Sequence, residues 1–249
     1  MPLRGAAQAD GLRLSASGPA ATVGIAFSAL YALALGWLVV GLGARVALWV
    51  RTPQPAPIPI APAPRTRAGV VARLAAEILL FRSLFRANRT IWTASALMHW
   101  GLLFVLVAHA RFLYRVLPVW LVPFLVASGW ATLAAAAGIG ALAARRALVD
   151  RMRRITVPSD WGHLALLGAI LASGTLLKRV WPTDLVAVGA WLRGALSLDW
   201  RPLPVHAGLW THLGLVAVLL LVFPISKLVH APGVAFAPTF HQRDRAGER

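Results

Sequence analysis

Apolar and polar positions along the chain fall into long blocks. Five blocks are apolar over roughly the 20 residues that a bilayer-spanning helix needs: 21–42, 91–112, 118–143, 161–177 and 205–229. The fourth is the shortest. The first predicts a retained helix and not a cleaved leader, because its apolar run is long and Arg45 and Arg51 follow where small residues would mark a cleavage site. After it, residues 53–64 (PQPAPIPIAPAP) predict an extended, semi-rigid spacer. Residues 68–86 then place Val71, Leu74, Ile78, Phe81 and Phe85 at helical spacing among arginines. That pattern predicts a basic amphipathic helix in the membrane interface, with docking to a partner subunit as the rival placement. Residues 181–204 carry Trp181, Trp191 and Trp200 among few charges, which predicts an interfacial hairpin, since Trp favours the headgroup level.

Composition narrows the class. Hydrophobic residues make up 59% of the 249, charged residues 13%, and the mean hydropathy is +0.70. A soluble domain carries about 25% charged residues, and disordered chains are poor in apolar ones. The expected fold is therefore all-α: a polytopic membrane protein with a five-transmembrane-helix bundle. Its expected parts are residues 1–50 (tail and first helix), 51–90 (spacer and amphipathic helix), 91–230 (a four-helix domain) and 231–249 (a tail).

Charge sets an expected orientation. The chain has 25 Lys+Arg against 8 Asp+Glu. Such an excess can signal nucleic acid, but in so apolar a chain the positive-inside rule is the better reading, and no nucleic-acid partner is expected. The first-to-second connection, the third-to-fourth connection and the C-terminal end together hold 17 of the 25 positives, and the opposite side holds 8. The expectation is an N-terminus outside, a C-terminus in the cytoplasm and residence in the cell inner membrane. A sixth helix or an inverted topology is the alternative.

The chemistry available is restricted. There is no cysteine, which excludes iron–sulfur clusters, thiolate haem ligation and covalent c-type haem. No carboxylate falls within the five blocks as bounded above, which weighs against a proton-coupled transporter. The blocks do contain histidine: His99 and His109 in the second, His212 and His230 in the fifth. On a continuous helix, the ten residues from His99 to His109 span about 15 Å and about 80° of rotation. The eighteen from His212 to His230 span about 27 Å and five whole turns. Because the two helices run in opposite directions, His99 faces His230 near one side and His109 faces His212 near the other. Two facing imidazole pairs, with centres on the order of 20 Å apart, suit two bis-histidine b-type haems in an apolar bundle. Hydrogen-bonded structural histidines and a non-haem metal remain the alternatives, zinc least of all, because no carboxylate or thiolate joins the set.

The runs HWGLLFVLVAH (99–109) and HLGLVAVLLLVFPISKLVH (212–230) resemble the cytochrome b, or gamma, subunit of respiratory nitrate reductase. They also resemble its relatives in sulfur-metabolising (dissimilatory sulfite reductase-associated) and heterodisulfide reductase complexes. The resemblance covers roughly residues 80–235, and FRSLFRANRTIWTASALMHWG is more similar to the sulfur-complex relatives. Ala108 stands where the nitrate reductases often have Gly, and the second-to-third connection has no Lys for a quinol site.

The resemblance implies two haem b groups: His99 and His230 as axial iron ligands of the inner one, His109 and His212 of the outer one. It implies a quinol site near the outer face, by His109, with His206 as a further candidate. Arg111 is a candidate for a haem propionate, and Arg89 for the other side. His163, like His206, is a lesser candidate for quinone contact with an ordinary interfacial histidine as the alternative, His241 receives no role, and Pro224 is expected to kink the fifth helix. The implied function is exchange of electrons between the quinol/quinone pool and a cytoplasmic iron–sulfur or catalytic subunit that performs the terminal reaction. A haem-free membrane anchor or small-solute permease is the alternative.

Overall fold

A computed structural model describes residues 18–53, 63–236 and 242–243 of the chain. Most of the Pro-rich spacer, together with Arg4, Arg13 and His241, lies outside the described residues. Among the described residues, five helices are long and apolar enough to cross a membrane.

The first, α1 (Pro19–Arg51), opens with Pro at a position where a missing N–H is harmless and runs about two turns beyond the expected end. The amphipathic segment is two helices, α2 (Arg67–Leu80) and α3 (Arg82–Ala87), broken at Phe81, whose backbone is left-handed (φ 49°). The other elements are α4 (Arg89–His109), α5 (Val122–Leu148), α6 (Asp150–Ile155), α7 (Pro158–Arg179), α8 (Leu185–Leu196), α9 (Ala207–Val222) and the single turn α10 (His230–Gly233). Side chains satisfy several orphan amides at helix starts. Asn88 accepts from Ile91 N–H at 2.9 Å, and Asp184 accepts from Val186 and Ala187 N–H at 2.8 and 3.0 Å.

Helix α4 packs along α5, α5 against α7, and α7 against α9. The ring closes where α4 meets α9 and α10 through histidine side chains instead of backbone packing. The α4–α5 seam is built from small residues, as close helix approach in lipid requires. A Cβ on Gly138 would lie 2.6 Å from Ala94 O and Met98 N, and one on Gly101 would lie 2.5 Å from Ala131 O. Helix α1 sits outside this four-helix group, tied to α9 and the turn after it by Tyr31 Oη–Leu213 O (2.9 Å), Trp37 Nε1–Leu221 O (2.9 Å) and Arg45 Nε–Pro224 O (3.3 Å). The helices keep many large apolar side chains on the outside, Val126 and Trp130 each at 78% exposure, a surface suited to lipid.

Besides the break at Phe81, three further expectations need correction. The fifth block is not one helix to residue 229: α9 ends at Val222, a short 3-10 turn holds Pro224, and Ser226 is extended, so His230 rides on the separate turn α10. Proline's missing N–H and its ring end the α-helical ladder there, and the kink becomes a break. Segment 181–204 is not a surface hairpin throughout, because Trp191 is 1% exposed. Its indole N–H donates to Gly24 O at 3.1 Å and its ring meets Tyr31 edge-on, so α8 is pinned to α1. Finally, α7 begins three residues before the expected start, which brings Asp160 into its first turn.

Candidate functional site: two facing histidine pairs

Helix α4 carries two imidazoles, and each is anchored by its own helix. His99 Nδ1 lies 2.8 Å from Ser95 O, and His109 Nδ1 lies 2.7 Å from Val105 O, both four residues upstream. A carbonyl can only accept, so Nδ1 carries the ring hydrogen and Nε2 keeps a bare lone pair. His230 Nδ1 is held in the same way by Lys227 O at 2.8 Å. His212 is held from another helix: its Nδ1 is 2.9 Å from Ser173 Oγ. That hydroxyl already donates to Ile170 O at 3.0 Å, so it accepts from His212. Ring space comes from Gly174, where a Cβ would stand 3.1 Å from His212 Cε1.

The structure brings these rings together in twos. His99 and His230 have ring centres 6.0 Å apart with planes crossed at 87°. His109 and His212 have centres 6.3 Å apart with planes at 17°. A metal–imidazole bond is about 2.0 Å and the ring centre lies about 1.1 Å behind the nitrogen, so two imidazoles on opposite sides of one metal have centres roughly 6 Å apart. An anchored Nδ1 with a free Nε2 is also the usual state of a metal-binding histidine. Among the described residues no group of three or more His, Cys, Asp and Glu could hold a metal ion. Zinc takes three or four protein ligands. Pairs alone suit an iron whose other four positions are filled by a porphyrin.

The two ends of the bundle differ. At the His99/His230 end, the Phe81 ring lies 5.2 Å from His99, and the carbonyls of Leu79 and Leu80 accept from Trp100 and Trp92 indoles at 3.2 and 2.7 Å. The break between α2 and α3 thereby lays an aromatic ring on this pair. Asp160 binds Lys227 at 2.7 Å, joining the start of α7 to the segment that holds His230. At the His109/His212 end, Arg193 Nη1 donates to Phe112 O at 2.9 Å, just past His109, whose ring is 6.1 Å from that of Phe112. Arg111 is exposed, with its guanidinium over the Phe112 ring at 5.6 Å, and Arg89 lies over Phe85 at 5.3 Å. His206 caps α9, its Nδ1 accepting from Leu209 N–H at 3.1 Å. His163 is half-buried on α7. Sequence reasoning missed Ser173, Gly174, Phe81 and the Asp160–Lys227 pair. The only hint was a Ser-Gly step inside an otherwise apolar helix.

Residues 69–245 match the nitrate reductase gamma subunit family, which is most of the chain and all of both histidine pairs. The chain belongs to that family. As a gamma-family chain it is also similar to two archaeal proteins, each named as an Hdr-like menaquinol oxidoreductase cytochrome b-like subunit. The one from Archaeoglobus fulgidus is 28% identical over 266 residues, covering 87% of this chain and 79% of the relative. The one from Archaeoglobus profundus is 28% identical over 262 residues, covering 86% and 77%.

Proposed function

We propose that this gamma-family chain is the di-haem b-type membrane subunit of a quinol-linked oxidoreductase. The observation that carries the reading is the pair of facing, Nδ1-anchored imidazole couples at two depths of one bundle. His99 and His230 hold one haem, and His109 and His212 hold the other. Once bound, the two haems supply one-electron carriers near opposite ends of the bundle. The four histidines would hold the two groups through Nε2, and the apolar helices exclude water from the space between the pairs.

Orientation follows the charge count, with the His99/His230 end and its 17 positives in the cytoplasm and the His109/His212 end outside. The membrane is the cell inner membrane. Residues 91–230 form the haem-binding domain, residues 51–90 an appended interfacial segment. Quinol, menaquinol by analogy with the archaeal relatives' names, is oxidised beside His109 and its protons leave at the outer face. His206 stands at the same end. With Nδ1 accepting from Leu209, its neutral ring carries hydrogen on Nε2, a donor for a quinone oxygen. Arg111 serves a propionate of the outer haem. Electrons leave to an iron–sulfur or catalytic subunit docked on the basic cytoplasmic face, where the terminal reaction takes place.

A pyridine haemochrome assay on purified protein tests the reading: about two b haems per chain supports it, and none sinks it. His109→Ala and His212→Ala should each remove the same haem, and loss of different haems would break the assigned pairing.

A further inference from the structure

The end of the bundle with fewer basic residues concentrates them in one place. A cavity of about 220 Å³ there is lined by Arg115, Ala190, Arg193, Gly194, Ser197 and Arg201. It lies between the connection after α4 and helix α8, so three of the six basic residues described at this end (Arg111, Arg115, Lys178, Arg179, Arg193 and Arg201) converge on one concavity.

Their partners leave charge uncompensated. Arg201 is paired with Asp199 Oδ2 through Nε and Nη2 at 2.8 and 2.6 Å. Arg193 uses Nη1 on two neutral carbonyls, Phe112 O at 2.9 Å and Tyr114 O at 3.4 Å. Arg115 has no ion-pair or cation–π partner among the described residues. Three guanidiniums therefore meet one carboxylate. Like charges gathered around a partly enclosed space repel, and an oxyanion that accepts from their planar forks relieves that repulsion.

The surroundings select among oxyanions. Val116 and Val119 of the connection are 84% and 85% exposed, and Val186 and Leu198 at the two ends of α8 are 79% and 75% exposed. Trp120 and Trp200 stand half-exposed beside them. Exposed aliphatic chains with tryptophans next to a cationic hollow are the pattern of the headgroup layer. There a phosphate at the arginines has lipid-compatible surface on both sides for its acyl chains.

We propose that Arg115, Arg193 and Arg201 form a binding site for the phosphate of an anionic phospholipid. The site needs a membrane-embedded chain but does not depend on the histidines holding haem. It has one link to the histidine pairs: the Arg193 side chain that lines the cavity also holds the carbonyls just after His109.

The test uses the full chain in phosphatidylcholine nanodiscs doped with a minor fraction of phosphatidylglycerol, with retained lipid read by native mass spectrometry. Wild type should retain phosphatidylglycerol preferentially. Arg115→Gln should lower that preference about fivefold, and Arg115→Gln/Arg201→Gln further, because each basic side chain near a lipid surface is worth about that factor. Arg179→Gln, outside the cavity, should leave it unchanged. Equal retention by wild type and the double variant overturns the proposal. So does displacement of phosphatidylglycerol by millimolar inorganic phosphate, which would mark a site for free anions. Loss of a haem from Arg115→Gln with lipid retention intact also overturns it, since the arginines would then serve haem carboxylates.

Discussion

Gly138 and Gly140 lie two residues apart on α5, about 200° apart around the helix, and Ala at the two positions should act in opposite directions. At Gly138 a Cβ would sit 2.6 Å from Ala94 O and Met98 N, about 0.8 Å inside the 3.4 Å at which ordinary contact begins. Both obstructing atoms are backbone, so no side chain can swing aside and α4 and α5 must part. Overpacking of this kind costs about 1–3 kcal/mol, and a rigid obstruction belongs at the upper end. At Gly140 a Cβ would meet no atom of another element within 4 Å among the described residues. There Ala gains helix propensity of up to about 1 kcal/mol, less where lipid already favours the helix. The two variants should therefore differ by about 3 kcal/mol in apparent unfolding free energy. Unfolding in mixed micelles with increasing SDS, followed by far-UV circular dichroism, would measure that difference. Gly138→Ala as stable as Gly140→Ala would refute the close α4–α5 seam. Because Ala94–Met98 leads directly into His99, Gly138→Ala should also loosen haem at the His99/His230 pair before the other.

Further outcomes follow from individual contacts. Ser173→Ala removes the acceptor that fixes the His212 tautomer, and haem affinity at the His109/His212 pair should fall about 10–100-fold while the other pair is unaffected; haem titration of the stripped protein measures both, and equal weakening of both would contradict the assigned role. Asp160→Asn breaks the 2.7 Å tie to Lys227. Stability should change by no more than about 1 kcal/mol, but the absorption and paramagnetic resonance of the His99/His230 haem should shift. The exchange Asp160→Lys/Lys227→Asp should restore them, and unchanged spectra in Asp160→Asn would dismiss the tie. Were haem iron held between each pair, ring planes crossed at 87° would leave its two π-type d orbitals nearly degenerate, whereas planes at 17° would split them. Low-temperature paramagnetic resonance should therefore give the more anisotropic signal for the His99/His230 haem, and His230→Ala should abolish that signal. Its persistence would reject the assignment.

The five helices were legible because bilayer thickness imposes a length that local composition alone can meet. The meeting of His99 with His230 and of His109 with His212 was legible because antiparallel helices convert residue spacing into depth. The same reasoning treated 212–230 as one rigid helix, and the structure breaks it at Pro224–Ser226; the pair still forms because depth is kept while helical phase is lost. Other features depend on contacts distant in the chain. Trp191 reads as interfacial until Gly24, 167 residues away, supplies an acceptor for its indole. Ser173 acquires its role only from the helix that carries His212, and Asp160 from Lys227, 67 residues on. Phe81 looked like one more apolar position on an amphipathic face, and its left-handed backbone turns it onto His99 instead.

The break before His230 makes the two pairs mechanically unequal. Three of the four imidazoles belong to helices of sixteen residues or more: His99 and His212 lie within them, and His109 ends α4 where the 3-10 turn 110–113 carries the chain on. The fourth stands on a four-residue turn, steadied by Lys227 O and, through Lys227, by Asp160. Compliance in this bundle is thus concentrated under one ring at one end, since short elements with few packed contacts open most readily. A small push on the segment around Lys227 moves His230 relative to His99 and leaves His109 and His212 where they were. One end of the bundle can be retuned from the surface while the other stays fixed.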